Sequence, residues 1–267
     1  MFKTSKLNNT VFFIALTLSF ISCGNINKPN SKEWQTLFNG KNLNGWVVKL
    51  NHHELGDNYA NTFRVVNNVI QVNYDGYSEF GERFGHLFYQ IPFSAYHLKF
   101  EYRFTEQWMD EAPSHAYRNS GIMFHSQNPK TILKDQKWPI AVEFQFLAEE
   151  KEGEPRSTGN ACSPGTHIYK DGVLLKPHVT KSTAKNYKWH QWIKGELIVD
   201  KQSNITHIIE GDTVLQYSNP IIGGRSIEGS NPDLQIDGKA ITSGFIGLQA
   251  EGQGVEFRSI TIKDLMQ

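Results

Sequence analysis

Three short segments set chemically capable side chains opposite rows of apolar ones. In "AVEFQFL", Glu143 and Gln145 alternate with Val142, Phe144 and Phe146. In "YHLKFEYRF", Glu101 and Arg103 alternate with Leu98, Phe100, Tyr102 and Phe104. In "NSGIMFHS", His125 shares its parity with Gly121 and Met123, opposite Ile122 and Phe124. The simplest reading is that such polar rows are the wet outer faces of strands. Exposed β faces, however, are usually rich in Lys, Thr and Ser, whereas these offer carboxylates, an Arg, an amide and an imidazole. Nearby segments add Trp108, His115, Tyr117, Trp138, His167 and Tyr169. Carboxylates and amides fix hydroxyl groups, and aromatic rings stack on the apolar face of a pyranose, so a cleft lined this way suits a sugar.

Several other chemistries are excluded. The chain has no CxxC, no HExxH, no Gly-rich phosphate loop and no GxSxG. Its 27 Lys and Arg balance 27 Asp and Glu, which gives no electrostatic footprint for nucleic acid. Aromatic residues make up 12% of the chain, a content that serves sugar stacking and an aromatic β core equally well. Only two cysteines occur, Cys23 and Cys162. Cys162 reads as a buried thiol, and the domain as one held together without disulfides.

The elements that must position these side chains are strands. Besides the segments above, "WIKGELIVD" alternates Ile193, Leu197 and Val199 with Lys194 and Glu196. "NITHIIEGDTVLQY" reads as a hairpin with Gly211-Asp212 as its turn, and "GFIGLQAEGQGVEFRSITI" as a second hairpin around Gly252 to Gly254. No run has a helical period. Many short strands with turn signals between them predict an all-β sandwich or jelly roll. Two loops, Trp108 to Arg118 and Glu149 to Pro164, are long for such a fold and adjoin the polar-faced strands, where long loops usually serve function.

The N-terminus reads separately. Lys3 and Lys6 precede an apolar run from Val11 to Ile21, too short to span a bilayer, which has the form of a secretory signal. The run ends in Ser22-Cys23-Gly24, which resembles a bacterial lipobox. The expected organisation is a lipoprotein signal over residues 1–23, a tether over 24–32 and one β domain over 33–267. The protein is then exported and bound to the membrane through a lipid on Cys23. The lack of an acidic run after Cys23 points to the periplasmic side.

A family resemblance runs along the chain. "LFNGKNLNGW" (Leu37 to Trp46) resembles the opening motif of the 3-keto-disaccharide hydrolase domain family. "FSAYHLKFEYRF", "NSGIMFHS", "VEFQFL", Trp189, the Glu-Gly-Asp turn, "IGLQAEG" and "VEFRSITIKDL" resemble its further motifs in the same order, covering Trp34 to Leu265. The resemblance implies a concanavalin-like jelly-roll sandwich of two antiparallel sheets. The segments Asn51 to Asn61, Trp108 to Arg118 and Glu149 to Pro164 look expanded relative to the family, in loops that would border the cleft and set specificity.

The activity it implies is cleavage of a glycoside whose C3 hydroxyl has been oxidised to a ketone. The ketone acidifies the C2 proton; a base removes it, and the C1 substituent leaves by elimination, with or without later addition of water. On this reading Glu143 is the base or a metal-oriented carboxylate, and Arg103 and His125 stabilise oxyanion charge. Gln145, Glu101 and Asn119 position hydroxyls, Trp108 and Trp138 contact the substrate, and His86 and His167 serve as acid or ligand. A divalent metal ion acting as Lewis acid is a further way to hold the enolate. Two alternatives stand beside this one. A conventional two-carboxylate glycoside hydrolase usually shows Glu-x-Asp-x-x-Glu on such a strand, and "VEFQFLAEE" lacks the Asp. A lipid-anchored glycan-binding protein without catalysis would keep the aromatic residues and need no base.

Overall fold

The computed structural model describes residues 33–266. The signal, the lipid-bearing Cys23 and the tether expected over residues 1–32 lie outside the described residues. The described chain is all β, and its helical content is four short 3-10 turns. In chain order the strands begin with β1 (Gln35–Thr36), β2 (Trp46–Leu50), β3 (Phe63–Val66), β4 (Val69–Val72), β5 (Gly85–Tyr89) and β6 (Tyr96–Trp108). They continue with β7 (Asn119–Ser126), β8 (Val142–Leu147), β9 (Asn160–Cys162), β10 (Thr166–Lys170), β11 (Val173–Leu175) and β12 (Val179–Thr180). The last are β13 (Ile193–Val199), β14 (Asn204–Ile209), β15 (Asp212–Ile222), β16 (Phe245–Ala250) and β17 (Gln253–Asp264).

They form two antiparallel sheets. One has ten strands, in the order β11-β10-β15-β14-β13-β6-β17-β4-β3, with β1 also paired to β17. The other has seven, in the order β12-β9-β8-β7-β16-β5-β2. The core lies between them, filled by the alternate apolar residues of each strand. Phe100 and Tyr102 of β6 meet Phe144 and Phe146 of β8 across the gap: Phe100 sets its edge against Phe144 at 5.6 Å, and Tyr102 stacks on Phe146 at 4.0 Å. Truncating a core ring of this kind costs about 3–5 kcal/mol.

A histidine also lies in this core. His207 stacks on Phe144 at 3.9 Å, donates from Nδ1 to the Gly159 carbonyl at 2.9 Å and accepts at Nε2 from the Tyr217 hydroxyl at 2.8 Å. Burial pushes its pKa down to about 3, so the ring is neutral and both nitrogens are satisfied.

Two local expectations need correction. The hairpin of β14 and β15 forms, but its turn residues are Glu210 and Gly211, with Ile209 paired to Asp212. Both turn residues have positive φ, 51° and 89°, as a type I′ turn demands. The segment around Gly252 is not a hairpin. β16 belongs to the seven-stranded sheet and β17 to the ten-stranded one, so the chain crosses between sheets at Glu251-Gly252. Gly252, at φ 94°, supplies the left-handed backbone the crossing needs.

Candidate active site

The outer face of the seven-stranded sheet carries a cleft of about 1020 Å³, at the upper end of the range for small-molecule sites (~300–1,000 Å³). Its floor is made by β8 and β9. Glu143, Gln145 and Leu147 point into it because Val142, Phe144 and Phe146 point into the core. On β9, Cys162 lies in register with Glu143, and Asn160 with Gln145. Asn160 donates to the Gln145 side-chain oxygen at 3.1 Å and so fixes the orientation of that amide. On the other side Gly121 of β7 lies opposite Gln145. A Cβ at Gly121 would sit 2.5 Å from Glu143 Oε1, so the missing side chain makes the space that the carboxylate occupies.

A second carboxylate completes the floor. Glu251 follows β16 directly, at the crossing between sheets, and lines the same cleft. Glu143 and Glu251 are 6% and 4% exposed, and each keeps one buried oxygen with no hydrogen-bond partner among the described residues. Trp138 donates from Nε1 to the other Glu251 oxygen at 3.2 Å. Burial raises both acids. Glu143 is pushed well above the usual carboxylate range, first by burial and then by the charge of Glu251. Glu251 is raised to about 7 by burial, against the opposing pull of the Trp138 hydrogen bond. Two like charges in a dry floor resist simultaneous ionisation, so near neutral pH the pair tends to hold a proton.

The walls come from loops. The segment between β7 and β8 crosses the β2 side of the sheet, where Lys49 donates to the Lys134 carbonyl, and it presents Trp138, which packs on Phe84 at 4.4 Å. Arg156 holds the opposite loop by donating to the carbonyls of Tyr117 and Ala148. His167 packs against the Gly223-Gly224 turn, where a Cβ on Gly223 would meet the ring at 2.6 Å.

Of the residues the sequence singled out, the structure brings Glu143, Gln145, Asn119, Trp138 and His167 together in this cleft. Glu101 and Arg103 lie elsewhere. Both are on β6 in the ten-stranded sheet, where Arg103 pairs with Glu256 at 2.6 Å and Glu101 with Arg258 at 2.7 Å. Their expected place beside Glu143 is corrected, because equal parity on two strands does not put them in one sheet. His125 is buried at a bulge of β7, with φ 46° and neither ring nitrogen partnered among the described residues, and it is not part of the cleft lining. The irregular backbone breaks the alternation on which its placement rested. His86 is buried on β5 beside Lys49, held down to about 3 by burial and by that cation, and also lies outside the lining. Trp108 packs its edge on Tyr117 at 5.2 Å rather than on the cleft.

Glu251 and Asn160 were missed as site residues. Glu251 had a signal: it shares parity with Gln249, opposite Leu248 and Ala250. No group of three or more His, Cys, Asp or Glu side chains fit to hold a metal ion occurs among the described residues. No step below is routed through a metal ion.

A jelly-roll sandwich with a buried acid pair in a sugar-sized cleft is the class these features define. The chain belongs to the family of 3-keto-alpha-glucoside-1,2-lyase-like domains, whose model matches residues 33–263. Two crystal structures of a candidate glycosyl hydrolase from Parabacteroides distasonis ATCC 8503 share the fold. One has 18% identity and a TM-score of 0.51, covering 87% of this chain and 100% of that one. The other has 18% identity and a TM-score of 0.50, covering 87% of this chain and 94% of that one. No curated protein sequence shows significant similarity to the chain.

Proposed function

We propose that this cleft cleaves 3-keto-glycosides by removing the C2 proton and expelling the C1 substituent. The observation that carries the reading is the Glu143–Glu251 pair, two buried acids with unpartnered oxygens on the floor of the cleft. A carboxylate with a raised pKa is a stronger base than a solvated one, and a proton beside a ketone is acidic enough for it to remove. We assign that step to Glu143, which stands mid-floor beside Gln145 and Cys162, acting in the state in which the proton shared by the pair lies on Glu251. The C2–H electrons become the C2–C3 double bond of an enolate. As the ketone re-forms, the C1–O bond breaks, a C1–C2 double bond remains, and the departing oxygen takes up a proton. With one proton shared by the pair, the second carboxyl group is available as its donor. Gln145 and Asn119 supply amides for ring hydroxyls, and Trp138 a wall for stacking. The exported, lipid-tethered location remains part of the proposal and rests on residues 1–32.

The test is aglycone release from a 3-keto-glucoside beside its unoxidised parent. Release from the ketone alone supports the elimination. Release from the parent would make the acid pair a conventional glycosidase pair, and binding without release from either would make the cleft a glycan receptor.

A further inference from the structure

The charges around the cleft are unevenly spread, and we infer that its substrates carry an anion, a carboxylate or a sulfate, on the departing group, seated by Lys176, Lys181 and Arg225. This inference rests on the elimination reading and names its substrate class.

Of the two acids, Glu143 stands on β8 and Glu251 at the end of β16. Lys176 and Lys181 lie on the other side of β8 from Glu251. Lys176 precedes β12 and Lys181 follows it, and β12 is the edge strand, two ladder steps from β8. At about 4.8 Å per step the edge is roughly 10 Å from the Glu143 row, about the distance from C2 of a sugar to the far end of a small aglycone. Arg225 reaches the same cleft from the turn after β15, beside His167. All three cations are exposed, and none has an ion pair or hydrogen bond among the described residues.

This lack of partners is unlike the treatment of cations nearby. Lys137, in the same lining, is held by Glu82 and Glu228 at 3.0 and 3.2 Å, and Arg156 by Glu150 at 3.0 Å. On the ten-stranded sheet Arg64, Arg103 and Arg258 each have a carboxylate. In a chain with 27 cationic and 27 anionic side chains, three unmatched cations lining one cleft make a local positive field. A glycoside with C2 over Glu143 and its aglycone towards β12 places an anion in that field and keeps it away from the acids.

The test uses three 3-keto-glucosides bearing 4-carboxyphenyl, 4-sulfatophenyl and 4-methoxyphenyl aglycones. They are compared on wild type and on the variant Lys176→Gln/Lys181→Gln/Arg225→Gln. Exposed cations screened over a Debye length of about 8 Å should lower KM for the anionic probes by roughly tenfold at low salt. That advantage should fade at high salt and disappear in the variant. The carboxylate and sulfate arms show which anion is preferred. Equal KM for charged and neutral probes on wild type would overturn the inference, as would an advantage that survives in the variant. If no probe is turned over, the elimination reading fails by itself. Calorimetric binding of the three unoxidised glucosides to the same two proteins then decides the matter. Tighter anionic binding that the variant loses supports the inference; equal binding, or none, overturns it.

Discussion

The two sheets of this protein present outer faces of the same residue types and treat them in opposite ways. On the ten-stranded sheet Arg64, Lys99, Arg103 and Arg258 are each matched by a carboxylate. Arg64 reaches Gln71, Gln71 reaches Glu256, and Glu256 holds Arg103. Arg103 and Arg258 both lie over the Trp192 ring, and Arg258 holds Glu101. On the seven-stranded sheet Glu143 and Glu251 are buried together with no cation paired to either, and the cations of the cleft stand apart from them. A matched ladder spends its polar groups on one another. An unmatched pair keeps oxygens free at the cost of burying like charges. The difference separates a face that is finished in itself from one that is completed by something else.

Substitutions can break this comparison. The largest effect is expected from Glu143→Gln, which keeps shape but loses the base. Turnover of a 3-keto-glucoside should fall by about 10²–10⁴-fold, while the melting temperature holds or rises because a neutral amide carries no buried charge. Full turnover in that variant would return Glu143 to the status of the ladder residues.

The second effect is on stability against pH. The folded state raises Glu251 from 4.5 to about 7, so it binds the proton more tightly than the unfolded chain does. The resulting stability is fully present below pH 4.5 and is lost as pH rises through 7. The buried histidines His86 and His207 act in the opposite direction as pH rises towards 6.5, so the Glu251 contribution is read as a difference: wild type should lose roughly 3 kcal/mol relative to Glu251→Gln across that window. Chemical denaturation of both proteins at pH 5 and pH 8 measures the difference, and equal pH dependence in the two would contradict the burial argument. The smallest effect belongs to the ladder. Arg103→Ala, which removes a half-exposed partner of Glu256, should cost about 1 kcal/mol and leave turnover at the wild-type level.

The sequence made the strands legible because alternation is a local property. The inward row Val142, Phe144 and Phe146 is visible in six residues, as are its counterparts on β6 and β13. Alternation tells which residues share a face of one strand, but not which of two sheets that strand joins. Glu101 and Arg103 share the alternation of Glu143 but not its sheet. The acid partner that does meet Glu143 comes from a crossing at Gly252 that looked like a hairpin turn, because a glycine with positive φ serves either purpose. His125 fails differently: its φ of 46° interrupts the strand, and no side-chain pattern announces a bulge.

The strand that carries Glu143 also carries Phe144, locked between Phe100 and the His207 ring. The carboxylate is thereby indexed to the aromatic interior, one residue out of step with it. The mouth of the cleft is built otherwise, from exposed side chains such as Lys176, Lys181 and Arg225 that few contacts constrain. A change at the mouth falls within about 0.5 kcal/mol of neutral, whereas a change at Phe144 shifts the floor with the core. The molecule therefore divides into a calibrated part and a replaceable one. Under the proposed reaction its admission rules can be rewritten without retuning the chemistry, and one set of acids can serve a succession of different departing groups.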